Sequence, residues 1–503
     1  MSALKSATRV TPPTLGQAAI PLGLLVLLLG SSVFLFGDTS SSGPNQIAML
    51  LGTAVAALIG LRNGHTWSDL EAAMGRGVST ATGPLLILLM VGSVIGVWIL
   101  AGVVPTMIYY GLSLLSPSIY YAAACAICAV VALATGSSWT TAGTVGLALI
   151  GIATTYDLHL GIAAGAIISG AYFGDKMSPL SDTTNLAPAV AGTDLFTHIR
   201  HMAWTTTPSF VIALLFFIVV GIITPSPAGE NELTAVMSAL ESNFLIGPHL
   251  LFPVVVVLVL VIRRMPALPA LLIGALVGAI FAVVFQPDAV LRYIGDTTLP
   301  RPIALVQGAW QALFGGYRIE SGNIVVDDLL SRGGMASMLT TIWLIITAMI
   351  FGAVMEATDL LDTLAARILR FVRSTGSLIA ATLTTSFGIN VLASDQYIAI
   401  VLPGRMFRSE YERRALDPKN LSRTLEDSGT LTSVLVPWNT CGAFMAQTLG
   451  VSTFTYAPFA IFNLINPFIA ALYGFLQISI APLPATKDQP SDDKIFESRT
   501  KGK

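Results

Sequence analysis

Long apolar runs separated by short polar segments cover the chain from about residue 17 to residue 480. A helix that crosses a bilayer needs about 20 mostly apolar residues. The first run follows Lys5 and Arg9, but it is too long for a signal peptide and no small-residue cleavage site follows it, so it is predicted to be a retained span. The clear runs predict spans at 17–37, 45–62, 82–103, 205–224, 249–262, 266–286, 336–356 and 456–480.

Four further apolar segments are interrupted by polar residues, glycine or proline. We interpret 160–190 and 420–450 as two broken spans, because each is long enough to cross. The other two are predicted to be re-entrant hairpins: 118–155 with its tip at 136–141, and 376–404 with its tip at 388–394. Non-helical backbone is tolerated at membrane depth only inside protein or beside water. The four segments should therefore surround one central site.

The distribution of lysine and arginine predicts that both termini are inside. The loops 37–45 and 225–248 contain neither residue and should be external, whereas 405–423 contains five arginines and one lysine and should be internal. The predicted division is a cytoplasmic segment 1–16, a membrane repeat 17–224, an external loop 225–248, a second membrane repeat 249–480 with an external insertion at 287–335, and a cytoplasmic tail 481–503.

The two halves of the chain show a weak internal repeat. At an offset of 256, Arg76 matches Arg332 and Gly77 matches Gly333, within segments of similar hydropathy. Asp175 follows Gly136 by 39 residues, and Asp427 follows Gly388 by 39. Inverted repeats with broken helices indicate a secondary transporter whose site lies at the repeat interface. The predicted fold is an all-α polytopic membrane protein with about ten spans, two re-entrant hairpins and two interrupted helices in two inverted-topology repeats.

The composition agrees with a membrane protein. Hydrophobic residues make up 54% of the 503 residues and charged residues 11%, with a mean hydropathy of +0.76. A soluble domain has roughly 25% charged residues, and disordered chains are also rich in charge. The net charge of −2 gives no basic surface for nucleic acid.

The interrupted segments carry the residues that could bind a cation. Hard cations prefer carboxylate, hydroxyl, amide and carbonyl oxygens, and the runs 170–188 and 425–444 supply them. The predicted cation- and proton-binding residues are Asp175, Asp182, Asp395, Glu426 and Asp427. The predicted supporting ligands are Ser137, Ser138, Thr140, Ser178, Ser181, Thr183, Thr184, Asn185, Asn390, Ser428, Thr430, Asn439 and Thr440. A Na⁺ site is expected at Asp175, Thr183, Asn185 and Asp427.

The balance of charges in these segments favours a cation as substrate, because Lys176 is the one clear base among five acids. Burial favours the protonated form of a carboxylate, whereas a bound cation favours the ionised form. One cluster can therefore hold either Na⁺ or a proton, and that competition suffices for antiport. We expect the transported ions to be Na⁺ and H⁺, and we expect no resident cofactor.

The run FGDKMSPLSDTTNLAPAVAGTDLFTHIRHM at 173–202 is similar to the NhaC-type Na⁺/H⁺ antiporters. The runs at 393–407 and 425–444 support the resemblance, which covers about 17–480. It implies inverted repeats, re-entrant hairpins, an elevator-type transport domain, a homodimer and a bacterial cytoplasmic membrane. The family also contains Na⁺-lactate/H⁺-malate exchangers, while the tips of this chain lack the Ser-Asn-Thr pattern of dicarboxylate carriers in the wider superfamily.

Two other classes of function compete with Na⁺/H⁺ antiport. An organic acid exchanger would need basic residues or helix N-termini for its substrate, and Lys176 is the one base placed at the site. A membrane-embedded enzyme is a remote alternative, because no histidine lies in the predicted core.

Overall fold

The computed structural model describes residues 10–224, 230–296, 298–369 and 372–483. Every regular element in these ranges is a helix, apart from an isolated bridge between Leu416 and Pro482. Eight of the helices are long and apolar enough to cross a membrane, and two bent pairs bring this to ten if each pair is one span. The chain is a multi-pass α-helical membrane protein. Residues 1–9 of the predicted N-terminal segment, 225–229 of the predicted loop and 484–503 of the tail lie outside the described ranges.

The predicted spans correspond to observed helices. The long ones run Leu15–Phe36, Pro44–Arg62, Thr82–Leu100, Leu195–Ile223, Ala267–Phe285 and Leu339–Ala357. The spans expected at 249–262 and 456–480 belong to the two bent pairs. The first corresponds to Phe252–Ile262, which follows a bend of 84°, and the second to Ile461–Leu476, which follows a bend of 54°.

Two segments predicted as non-membrane connections contain helices of their own. The stretch 225–248, expected to be a loop, includes Glu230–Asn243. The expected insertion at 287–335 contains Pro287–Ile294, Arg301–Gly315 and Ile324–Leu330. These helices have too few apolar residues, or apolar runs that are too short, to be predicted as spans from hydropathy. Packing against neighbouring helices stabilises them instead, as for Arg301–Gly315 on Thr82–Leu100.

Both predicted hairpins fold back on themselves. The first joins Pro117–Thr135 to helical residues 138–155, and the Tyr120 hydroxyl donates to the Leu149 carbonyl across the two arms. The second joins Thr375–Leu392 to Gln396–Arg413. Its break lies at 393–395, so Gly388, which the sequence placed at the tip, is inside a helix. The depth of the hairpins in the membrane stays a prediction.

Both helices interpreted as broken spans are interrupted. The first broken helix consists of Leu160–Met177 and Asp182–Ala191, separated by a segment that contains Pro179. The second runs from Pro418–Leu425 through a π-helical turn at Glu426–Thr430 and a short 3₁₀ turn to Thr440–Leu449, with Pro437 in the break. Proline lacks the N–H that a continuous helix needs, which leaves neighbouring carbonyls unpaired.

The helices pack into two bundles. The first bundle contains the helices at 15–36, 44–62, 67–80, 82–100, 252–262, 267–285, 301–315 and 339–357. The second bundle contains both hairpins, both broken helices, and the helices at 195–223 and 461–476. Close approach within the second bundle depends on small residues: a Cβ on Gly170 would lie 2.0 Å from the Cys125 carbonyl oxygen. The site described next lies in the second bundle, facing the first.

Candidate functional site

The break of the first hairpin meets the break of the first broken helix. Gly136 ends its helix with a φ of +70°, a left-handed conformation that glycine adopts without strain. The chain then turns so that the Ser138 N–H and hydroxyl both donate to Asp175 Oδ2, at 2.9 and 2.7 Å. A Cβ on Gly136 would lie 2.7 Å from the Leu180 carbonyl carbon. The absent side chain therefore allows the two breaks to touch.

The corresponding breaks in the second half of the chain also meet. Asn439 Nδ2 donates to both oxygens of Asn390 at 3.1 Å, and the Thr440 N–H donates to the Ser394 carbonyl at 3.0 Å. Asn390 Nδ2 in turn donates to the Gly429 carbonyl at 2.7 Å. These amide groups are satisfied by one another and by backbone.

Four predicted site residues cap the helices that restart after the breaks. Ser137 accepts from the Thr140 N–H, Ser181 from the Thr184 N–H, and Asn439 from the Cys441 N–H. Asp395 accepts from the N–H groups of the second and third residues of its helix, at 2.8 and 3.0 Å. Capping satisfies N–H groups that have no partner inside the helix. The oxygens of these side chains therefore already accept backbone hydrogen bonds, which leaves them fewer lone pairs for an ion.

A cavity of about 840 Å³ leads to the first joint. Its walls come from the two bundles: Gly83, Pro84 and Arg264 belong to the first bundle, and Asp175 and Asp182 to the second. Other predicted ligands that line it are Ser137, Ser138, Thr183, Asn185 and Thr440. Asp175 is 9% exposed and lines this cavity. Asp182 accepts a hydrogen bond of 2.9 Å from the Tyr397 hydroxyl, which links the two halves of the chain.

A second polar cluster lies behind this cavity. Asp427, which the sequence predicted as a Na⁺ ligand, forms a fully buried ion pair with Lys176, and its Oδ1 also accepts from the Thr205 hydroxyl at 3.0 Å. Lys176 donates in addition to Asn466 Oδ1 at 3.1 Å. Arg423 lies 4.0 Å from Asp427 Oδ2 and is 1% exposed. Asp427 is not among the residues that line the cavity, whereas Asp175, Thr183 and Asn185 are.

Glu426 lies between the cavity and the buried ion pair. Thr183 and Thr430 are beside its side chain, and Asp175 and Lys176 are within electrostatic range. Both of its carboxyl oxygens are buried without a well-formed hydrogen bond in the described part of the chain. An unsatisfied buried carboxyl group is costly and is often functional.

Several predicted ligands have structural partners instead. The Thr184 hydroxyl donates to the Lys176 carbonyl at 3.0 Å, and the Ser428 hydroxyl to the Leu383 carbonyl at 2.8 Å. Ser178 accepts from the Leu180 N–H. Asn185 Nδ2 donates to the Pro179 and Ser181 carbonyls, at 3.0 and 2.6 Å. The buried hydroxyl of Thr140 has no partner among the described residues.

The sequence reasoning missed four residues of the site. Thr205 and Asn466 are polar residues inside predicted spans, a signal that could have identified them. Arg423 was assigned to the cytoplasmic loop 405–423, but it is buried against Asp427. Tyr397 carried no signal, because its contact with Asp182 depends on how the second hairpin packs on the first broken helix.

The arrangement defines a membrane transporter for small cations. A cavity with both polar and apolar walls reaches a buried carboxylate that the Ser138 N–H and hydroxyl hold, and oxygen ligands of this kind are what a hard monovalent cation prefers. In the described residues no three His, Cys, Asp or Glu side chains are grouped as for a transition metal.

Comparison with known proteins identifies the family. Residues 170–297 and 302–478 match the Na⁺/H⁺ antiporter family, to which this chain belongs. It is 41% identical to the Na⁺/H⁺ antiporter NhaC of Alkalihalophilus pseudofirmus, over 93% of this chain and 96% of that protein. It is 37% identical to the malate-2H⁺/Na⁺-lactate antiporter of Bacillus subtilis, over 92% and 95%. The YdaH transporter structure of Alcanivorax borkumensis covers 93% of this chain and 100% of that chain, with 12% identity and a TM-score of 0.38. The chain is a transporter, not an enzyme.

Proposed function

We propose that this chain exports Na⁺ from the cytoplasm in exchange for external H⁺. The two ions compete for buried carboxylates at the main cavity, the one of about 840 Å³. The observation that carries the proposal is the setting of Asp175. Its carboxylate is buried, reached from the cavity, and held by Ser138. A buried carboxylate needs either a cation or a proton, so exchange of one for the other at this group is antiport.

In this proposal the Na⁺ ligands are Asp175 and the oxygens beside it. Ser181 and Ser138 are next to Asp175, and Thr183 lies between the cavity and Glu426. Glu426 is the second carboxylate that can take a proton or share the cation. Asp182 lies further out, where its charge attracts cations to the cavity. Asp427 serves as the counter-charge of Lys176 rather than as a Na⁺ ligand, which revises the expected set.

The positions of the helices support two inverted repeats. At offsets of 256 to 258, Trp67–Thr80 corresponds to a stretch that includes Ile324–Leu330, and Val103–Leu114 corresponds to Leu360–Leu369. Gly136 and Ser394, both with positive φ, are 258 positions apart. The capping residues Ser137 and Asp395, and likewise Ser181 and Asn439, are also 258 apart. On this basis Arg301–Gly315 is the counterpart of Pro44–Arg62 rather than part of an insertion.

The orientation of the chain makes the main cavity cytoplasmic. Arg264 and Leu195 line it, and the positive-inside rule predicts that their segments are internal, because one contains Arg263 and Arg264 and the other contains Arg200. A smaller cavity of about 450 Å³ lies among residues 40–45 and 447–455 and reaches Pro437 of the second break. Its position supports alternating access, with the second bundle moving against the first. Homodimer assembly and residence in a bacterial cytoplasmic membrane stay predictions from the resemblance.

The function is tested with the purified protein in proteoliposomes. An inward Na⁺ gradient should drive H⁺ movement in the opposite direction, recorded with a pH-sensitive dye, without any organic acid present. A second candidate, exchange of small organic acids, is favoured by the cavity volume of about 840 Å³ and by Arg264 in its wall. If H⁺ flux requires malate on one side and lactate on the other, that candidate replaces simple Na⁺/H⁺ antiport.

Competition at a shared site predicts a specific pH dependence. When one proton must leave for each Na⁺ that binds, the apparent Na⁺ affinity rises about tenfold per pH unit, roughly 1.4 kcal/mol, while the carboxylate is mostly protonated. It levels off once the carboxylate is ionised. Isothermal titration of Na⁺ at several pH values measures the slope. A Na⁺ affinity that stays constant over the active pH range would require separate sites for the two ions.

The proposed orientation predicts which introduced cysteines are accessible from outside. Ser42, Ser242 and Ser409 are exposed, so each Ser→Cys change is conservative. In a background without Cys125, Cys128 and Cys441, an impermeant thiol reagent applied to intact cells should label positions 42 and 242 but not 409. Labelling of 409 alone would reverse the orientation, and the cavity would then open to the outside. Permeabilised cells, in which all three should react, serve as the control.

A further inference from the structure

A separate cavity of about 480 Å³ lies between the two bundles, away from Asp175. One wall consists of residues 315–318 and 331–338, which connect helices of the first bundle. The opposite wall is the end of the helix Thr440–Leu449 in the second bundle. The polar side chains that line it are Tyr317, Arg318, Ser331, Arg332, Ser337, Gln447 and Thr448. Two are arginines, and none of the lining residues is acidic. The cavity therefore has a positive lining.

Arg332 reaches across this cavity toward the second bundle. Its Nη1 is 3.4 Å from the position that a Cβ on Gly450 would take, and its Nη2 makes one long contact, 3.4 Å, with the Asp328 carbonyl. The Asp328 carboxylate acts on it electrostatically, yet the ion pairs found in the described ranges do not include Arg332. Arginine keeps its charge in proteins. A partly buried guanidinium that has no paired carboxylate would be stabilised by a bound anion.

Two neutral groups beside Arg332 can complete an anion site. Thr448 is 1% exposed, and its hydroxyl has no hydrogen-bond partner in the described part of the chain. Gln447 accepts from the Thr341 hydroxyl through Oε1 at 3.3 Å, which leaves its NH₂ group for another partner. Hydroxyl and amide N–H donors beside a guanidinium fork match the oxygens of a carboxylate or phosphate.

The repeat-related position provides an internal comparison. Arg76 lies 256 residues before Arg332 and lines a cavity of about 210 Å³ together with Glu356. That smaller cavity contains its own carboxylate, whereas the one at Arg332 does not. The positive lining is thus a feature of one end of the molecule and not a consequence of the repeat.

We propose that the Arg332 cavity binds a small oxyanion, a carboxylate or phosphate, through Arg332 and Arg318 with help from Thr448, Gln447 and Ser337. Because these residues come from both bundles, the bound anion holds the end of Thr440–Leu449 against the first bundle. A ligand that binds one conformation preferentially increases its population. The anion therefore stabilises the conformation described here and slows exchange from it.

Binding is tested on the full-length protein in neutral detergent with inorganic phosphate and malonate as probes. Isothermal titration should show saturable binding by the wild type. Arg332→Gln should weaken it at least about tenfold, roughly 1.4 kcal/mol, and Arg332→Lys should restore it in part. Arg301→Gln is the matched control, because Arg301 is an exposed arginine of the same segment, near Asp288 and outside the cavity. Equal affinity in wild type and Arg332→Gln would overturn the proposal.

The oxyanion can come from solution or from a phospholipid headgroup, and a second arm separates these sources. Thermal stability is measured in vesicles of phosphatidylcholine with and without phosphatidylglycerol, and with added phosphate. Stabilisation by phosphatidylglycerol that Arg332→Gln abolishes assigns the site to lipid, and stabilisation by phosphate alone assigns it to a soluble anion. If neither stabilises the wild type more than Arg332→Gln, no oxyanion site exists there. These measurements require no transport, so they stand or fall independently of the proposed antiport.

Discussion

Replacing Asp175 with asparagine is expected to abolish Na⁺-driven H⁺ exchange while leaving the protein folded. Asparagine has nearly the same shape and can still accept from Ser138, whose N–H and hydroxyl hold Oδ2 at 2.9 and 2.7 Å. The asparagine amide has no negative charge to bind Na⁺, and it neither gains nor loses a proton in the pH range of transport. We expect the apparent Na⁺ affinity to fall at least about 100-fold, roughly 2.7 kcal/mol.

The measurement is Na⁺-dependent recovery of dye fluorescence in everted vesicles, with thermal unfolding of the purified variants as the check on folding. Asp157→Asn is the matched control, because Asp157 is exposed and distant in the chain from every break, and asparagine tolerates its positive φ of 50°. It should keep wild-type activity. Full exchange by Asp175→Asn would remove this carboxylate from the proposed site and leave Glu426 as the principal candidate.

Replacing Asp427 alone is expected to destabilise the protein strongly, and replacing its partner as well should restore stability. Asp427→Asn leaves Lys176 fully buried without its ion-pair partner. Breaking a buried pair on one side typically costs about 3–5 kcal/mol, whereas removing both charges is often close to neutral. The double variant Lys176→Gln/Asp427→Asn keeps polar groups next to Thr205 and Asn466 and should recover most of the loss.

Thermal unfolding in detergent measures the stability of the two single variants and the double variant. Na⁺ titration of the double variant then separates the two roles considered for Asp427. If Asp427 is the counter-charge of Lys176, the double variant should bind Na⁺ with an affinity within about tenfold of wild type, roughly 1.4 kcal/mol. A stable double variant that no longer binds Na⁺ would return Asp427 to the ligand set that the sequence suggested.

The membrane spans were predictable because hydropathy is a local property. A helix in a bilayer must be apolar along its whole length, so runs such as 17–37 and 82–103 correspond to Leu15–Phe36 and Thr82–Leu100. The breaks were predictable for a similar reason. Glycine, proline and clustered hydroxyls weaken a helix locally, and the breaks after Gly136 and around Pro179 and Pro437 lie within the predicted segments.

Helices that depend on burial rather than on hydropathy were not predictable in the same way. Arg301–Gly315 and Ile324–Leu330 lie in a stretch with charged residues, and it was interpreted as an insertion. The predicted tip of the second hairpin, 388–394, begins too early: Gly388 lies inside a helix, and the chain breaks at 393–395, where Ser394 makes the left-handed turn. The local sequence around a glycine does not show whether that glycine lies inside a helix or in a turn.

By itself the sequence determined that this chain is a multi-pass helical transporter, which residues interrupt its helices, and that acids outnumber bases among them. Only the tertiary structure decided how those acids are used. Asp175 faces a cavity, Asp395 caps a helix and Asp427 pairs with Lys176, although the sequence suggested cation or proton binding for all three and a Na⁺ ligand role for Asp175 and Asp427. The physical reason is that the role of a carboxylate depends on which charge or donor lies within a few ångströms of it. Those neighbours come from residues as distant in the chain as Lys176 and Asp427, which are brought together by packing of the two halves.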